Sequence, residues 1–192
     1  MISLGAAIVR AAIRAYTYPY RKRFASLSRS VTLKNRPYAP PKGFAFSVEK
    51  YGGVRVEKLT PLGAVNGIVL QFHGGGHTAP MSGMYRKAAE RLAANCGCTM
   101  YSVDYRTAAD LVYPSVHDEC YTAYAELCNG VLSGGNFAAI GDSFGANLLL
   151  SACLRARDDR LPLPSAIVCI CPFADMAASG SSYRKNCYKD PL

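Results

Sequence analysis

The sequence predicts an α/β fold built on a mostly parallel sheet with flanking helices, and three observations predict it. Short apolar runs alternate with stretches of helical spacing, at the interval of strand–helix–strand units. Two of those runs end in glycine-rich turns, His73-Gly74-Gly75-Gly76 and Gly141-Asp142-Ser143-Phe144-Gly145. Half of the 192 residues are hydrophobic and 18% are charged, a composition that packs a core and does not describe a disordered chain.

Taken in order, residues 1–30 read as helix with a break at Tyr18-Pro19-Tyr20. The first fifteen are apolar with Arg10 and Arg14 on one helical face. They lack the early charge and uninterrupted core of a signal peptide, and they are too short and too charged to span a bilayer. An amphipathic helix lying on the body of the protein is expected, with weak contact to a membrane surface as the alternative. Residues 31–47 are basic and hold Pro37, Pro40 and Pro41, which marks an irregular connector. The chain therefore divides into residues 1–47 and 48–192. Residues 54–60 alternate apolar and charged positions, as a half-exposed strand does. Residues 67–72 form a buried strand, 84–95 a helix, 99–105 a strand and 116–128 a helix. A strand over 136–140 runs into the serine turn, a helix follows over 145–157, and 166–171 reads as another buried strand.

Ligands of an open parallel sheet bind at the carboxyl ends of its strands. Both glycine-rich turns end strands, so both are expected on one rim. A serine on a sharp strand-to-helix turn holds its hydroxyl clear of the sheet. A glycine run offers bare backbone N–H groups to a developing oxyanion. Ser143 is thus the candidate nucleophile, and the N–H groups of Gly75, Gly76 and Phe144 are the candidate oxyanion donors. His73, ahead of the glycines, is expected to brace the loop, and His77 to line the site. His117, beside Asp118 at a helix start, reads as helix-terminal or solvated. Asp142 is expected to anchor the turn. Asp175 falls on the rim as a candidate acid, but no histidine follows it to be oriented, and none follows Ser143.

Lysine and arginine number 22 against 13 acids, a net charge of +9. The excess lies in residues 1–60, with twelve basic residues and two acids, while the remainder is close to neutral. No nucleic-acid-binding motif accompanies it, so no nucleic-acid partner is expected. Of eight cysteines, Cys98, Cys153, Cys169 and Cys171 lie in apolar runs, and Cys96 and Cys98 flank a glycine. No second pair completes a zinc pattern. Reduced thiols, no metal and a cytoplasmic location are the expectation.

From about residue 50 onward, the series His73-Gly74-Gly75-Gly76, Tyr105-Arg106, Tyr113-Pro114 with Asp118, Gly141 to Asn147 and Cys171-Pro172-Phe173-Ala174-Asp175 resembles the hormone-sensitive-lipase-like branch of the α/β hydrolases. The resemblance implies a serine hydrolase of carboxylic esters that works through an acyl-enzyme without a metal or organic cofactor. Ser143 matches the nucleophile, Gly75, Gly76 and Phe144 the oxyanion hole, and His73 the loop support. The basic N-terminal helices resemble that family's cap. Departures are local: the usual turn is Gly-Asp-Ser-Ala-Gly-Gly, in which Phe144 replaces a small residue and Ala146-Asn147 departs at the end, and Thr107-Ala108-Ala109-Asp110 replaces Leu-Ala-Pro-Glu. The family places its acid and histidine after the nucleophile. The sequence ending at Leu192 is therefore expected to lack the last strands and both triad partners, to hydrolyse esters weakly, and to expose a sheet edge open to self-association. The same family includes a plant hormone receptor, so a non-catalytic small-ligand-binding module is the alternative. A peptidase ranks below both.

Overall fold

The computed structural model describes residues 3–17, 38–63, 65–107 and 111–187. The chain divides into two compact units, Met1–Thr32 with Asp175–Leu192, and Leu33–Ala174. The first contains helix α1 (Leu4–Thr17) and a short α5 (Ser181–Asn186). The expected break at Tyr18-Pro19-Tyr20 lies outside the described residues.

The second unit holds a six-stranded sheet in the order β1-β2-β4-β3-β5-β6, with β1 (Phe44–Tyr51), β2 (Val54–Pro61), β3 (Gly67–Phe72), β4 (Cys98–Asp104), β5 (Phe137–Asp142) and β6 (Ala166–Ile170). Strands β4, β3, β5 and β6 run parallel, as expected, while β1–β2 and β2–β4 are antiparallel. Strand β1 begins inside the stretch expected to be connector. Its turn to β2 is Gly52-Gly53, both at positive φ (58° and 80°).

The helices of this unit are α2 (Gly83–Cys96), α3 (Ser115–Asn129) and α4 (Ser143–Asp158). Helix α2 stops at Gly97, whose left-handed backbone (φ 61°) turns its N–H onto the carbonyl of Ala93 and feeds β4 one residue later. The strands carry apolar side chains to both faces, as sheets covered on both sides do. Leu70, Phe72, Tyr101 and Val103 join the core under α3 and α4. Val69 and Met100, one residue out of phase, join Ala89 and Ala93 of α2 on the other face.

Strand β6 departs from expectation. Predicted as buried, it is exposed, with Ile167 at 41%, Val168 at 50% and Ile170 at 51%. It ends the sheet among the described residues, so only β5 flanks it. No disulfide links the cysteines among the described residues.

Candidate active site

The parallel register makes the rim level. Phe72 pairs with Val103 on one side and Gly141 on the other, so β3, β4 and β5 end side by side. The glycine run leaves β3 and Ser143 leaves β5 at that edge. The two segments are in contact. A methyl group on Gly145 would be driven into the carbonyl oxygens of Phe72 and His73, with the His73 carbonyl carbon only 2.5 Å away. A methyl on Gly141 would meet the Ala146 Cα at 2.7 Å. Glycine at both positions lets the first turn of α4 pack backbone to backbone on its own strand and on the end of β3. The spacing G-x-S-x-G is therefore a steric requirement of this turn.

Ser143 has φ 50°, the left-handed region, where a side chain costs about 1–2 kcal/mol. Its carbonyl accepts a hydrogen bond from the Phe173 N–H at 3.0 Å, which ties the strained residue to the chain after β6. Asp142 clamps the two segments. Its Oδ1 accepts the Gly74 N–H at 2.8 Å and its Oδ2 accepts the Tyr85 hydroxyl at 3.0 Å. The anchoring role expected for Asp142 is thus the one observed, and its partner is the glycine loop.

That loop is folded tightly. The Gly75 carbonyl accepts the N–H groups of Thr78 (3.0 Å) and Ala79 (3.1 Å) and the Thr78 hydroxyl (3.1 Å). Gly75 has φ 110°, and a side chain there would also press on the Ala79 methyl at 2.8 Å. The N–H groups of Gly75, Gly76 and Phe144 donate to no acceptor among the described residues.

His73 is fully buried. Its ring stacks on Tyr105 at 4.2 Å and 7°, and the Tyr105 hydroxyl donates to the His73 carbonyl at 2.6 Å. Its Nδ1 lies 2.8 Å from the Gly74 carbonyl oxygen. Burial holds the imidazole below its ordinary pKa, against the opposing pull of the Gly74 carbonyl. In the sequence Tyr105 carries the family resemblance, through Tyr105-Arg106, but no role at the site; its bond to the His73 carbonyl joins positions 32 apart.

The other two histidines gather around Phe144. The His77 ring stacks on it at 5.1 Å, and His117 meets it edge-on at 5.9 Å. His117 lies in the first turn of α3, as a helix-terminal residue, but it is half-buried and not solvated, with Nε2 2.9 Å from Asn147 Oδ1. Burial, then the nearby His117, hold His77 below its ordinary pKa. The chain has three histidines. Their ring nitrogens face Gly74, Asn147 and the Arg106 main chain, or have no partner (Nε2 of His73 and His77, Nδ1 of His117). None is hydrogen-bonded to Ser143.

Asp175 binds its own loop. Its carboxylate accepts the N–H groups of Ala177 (3.1 Å), Ser179 (2.7 Å) and Gly180 (3.3 Å) and the Ser179 hydroxyl (2.8 Å). These bonds, led by that hydroxyl, hold it below the usual carboxylate range. An apolar groove of about 260 Å³ between α2 and β5 reaches Gly141 and Asp142, but its lining includes neither Ser143 nor the glycines of the loop. Among the described residues, no cluster of three or more His, Cys, Asp or Glu side chains could hold a metal ion. Nor is any helix there long and apolar enough to cross a membrane.

A family model described as alpha/beta hydrolase fold matches residues 69–192. The putative acetyl-hydrolase LipR of Mycobacterium tuberculosis is 33% identical over 153 residues, 79% of this chain and 49% of that protein. Mouse hormone-sensitive lipase is 30% identical over 129 residues, 65% of this chain and 17% of that protein. The crystal structure of an esterase from the bacterial hormone-sensitive lipase family superposes with a TM-score of 0.71 at 26% identity, covering 96% of this chain and 63% of its own. The chain thus spans about half the length of the mycobacterial relative and less than two thirds of the other two.

Proposed function

Because the chain belongs to the α/β-hydrolase fold family, in its hormone-sensitive-lipase-like branch, we propose that it is the nucleophile-bearing part of a serine hydrolase of carboxylic esters. The observation that carries this reading is the contact between the glycine loop and the serine turn, made by the Gly145 packing and the Asp142 clamp. In the proposed reaction the Ser143 oxygen attacks the ester carbonyl. The negative charge that develops on the carbonyl oxygen is met by the N–H groups of Gly75, Gly76 and Phe144, for which no acceptor is found among the described residues. Collapse of the adduct expels the alcohol, which takes up the hydroxyl proton, and water then releases the acid from Ser143.

The reading includes a deficit. Without an imidazole hydrogen-bonded to it, the Ser143 hydroxyl is a weak nucleophile. Loss of the base leaves on the order of 10³–10⁴-fold catalysis over water, from the oxyanion donors and binding. Among these residues the chain is therefore expected to acylate slowly. A fluorophosphonate probe tests both parts. Slow labelling that disappears in Ser143→Ala is expected. Labelling that persists unchanged in that variant refutes the assignment of the nucleophile, and labelling as fast as that of an intact esterase refutes the deficit. The His73 ring, held neutral by burial and stacked on Tyr105, supports the loop in this reading and takes no proton.

A further inference from the structure

Helix α1 carries two features that the hydrolase chemistry does not use. Its start is capped by Ser3, whose hydroxyl accepts the Ala6 N–H at 3.2 Å while its carbonyl accepts the Ala7 N–H at 3.0 Å. At 100° per residue, Leu4, Ile8, Ala11, Ala12 and Ala15 gather on one side, Val9 and Ile13 widen that face, and Arg10 and Arg14 share the opposite stripe. The large apolar side chains are exposed: Leu4 79%, Ile8 60%, Val9 58% and Ile13 38%. The charge in the sequence flanking the helix has one sign. Residues 1–48 contain nine lysines and arginines and no acid; the first is Glu49.

We infer that α1 lies flat in the headgroup region of an anionic lipid bilayer, its apolar face inserted and Arg10 at the phosphates. The helix is about 21 Å long, which is too short to span the hydrocarbon core. A helix with an apolar face and a cationic stripe takes the interfacial position instead. A single weak signal binds membranes marginally, and a polybasic segment supplies a second one. The nine cations follow no regular spacing, which suits a fluid, diffusely negative surface. A rigid acidic protein groove would need a matching geometry.

The test uses the full chain, which contains no tryptophan. Ile8→Trp therefore adds a single fluorophore on the face that inserts. Its emission is expected to shift to the blue with vesicles rich in phosphatidylglycerol and to stay put with phosphatidylcholine vesicles, the effect fading as salt is raised. In co-sedimentation, Ile8→Glu lowers partitioning more than tenfold. Arg10→Gln lowers it about fivefold. Thermal unfolding of each variant matches the parent. Emission already blue-shifted in buffer means the face packs on protein, and overturns the inference. Sedimentation without a blue shift means charge contact alone, and also overturns it. So does the absence of binding, or Ile8→Glu binding as well as the parent.

Discussion

Substituting Gly145 by alanine tests the shared rim directly. The added methyl would overlap the carbonyl oxygens of Phe72 and His73 and approach the His73 carbonyl carbon to 2.5 Å. Ordinary carbon contacts begin near 3.5 Å, so the first turn of α4 must recede by roughly 1 Å. Nothing on the other side yields easily, because β3 is held on both edges by the ladders to β4 and β5. Overpacking of this kind costs about 1–3 kcal/mol, and a clash with backbone belongs at the upper end. For a chain of this size about 3 kcal/mol lowers Tm by roughly 6–12 °C. The same displacement moves Ser143 from the glycine loop, and 1 Å of misplacement costs up to about 10²-fold in rate. Thermal unfolding followed by circular dichroism, together with fluorophosphonate labelling, reads both effects. Gly134→Ala is the control: it has open space and no left-handed backbone, and is expected to leave Tm and labelling unchanged. A Gly145→Ala protein that melts within about 2 °C of the parent and labels at the same rate would refute the backbone contact, and with it the shared rim of the proposed nucleophile and oxyanion donors.

Asp142→Ala removes both acceptors of the clamp, at about 1.5–3 kcal/mol for each bond to the carboxylate, and should slow Ser143 labelling before it unfolds the protein. Tyr105→Phe keeps the stack on His73 but strips the buried His73 carbonyl of its donor, for about 1–3 kcal/mol in urea unfolding. Glu57→Leu removes the carboxylate that the buried Arg86 guanidinium holds at 2.6 and 2.8 Å, at about 1.5–3 kcal/mol for each bond, a loss read in urea unfolding. Burial works to raise the Glu57 carboxyl, but the hydrogen bonds from Arg86 and Arg55 outweigh it and hold the group below its ordinary range. For His73, whose folded pKa is depressed by burial, the unfolded chain binds the proton first. Stability is then full above about pH 6.5 and falls on acidification through that value, by up to about 1.4 kcal/mol per pH unit, in a series of urea titrations. Val168→Lys on the exposed edge strand β6 should leave Tm within the range of surface substitutions and abolish any concentration-dependent self-association seen by ultracentrifugation.

The sequence alone determined the alternation of strands and helices, the parallel core and the two turns that meet on one rim. Those features are written locally: apolar runs set the strands, and a G-x-S-x-G turn is needed wherever a helix start packs against its own strand. What it left open belongs to residues far apart in the chain. Strand β1 escaped notice because its side chains alternate only between half-buried and exposed, a faint pattern. The spatial order β4-β3-β5 is not the chain order. The Asp142–Gly74 clamp joins positions 68 apart, the Glu57–Arg86 pair 29 and the His117–Asn147 bond 30. His117 looked solvated because its neighbours Asp118 and Glu119 are polar, and only the packing of α3 on α4 turned its ring toward Asn147 and Phe144. The apolar run of β6 gave no warning that the strand stands exposed, since burial depends on what lies beside a strand and not on its own composition. Local sterics are legible one residue at a time. Pairings across the sheet exist only after the chain has closed its long loops, and no window of sequence contains both partners.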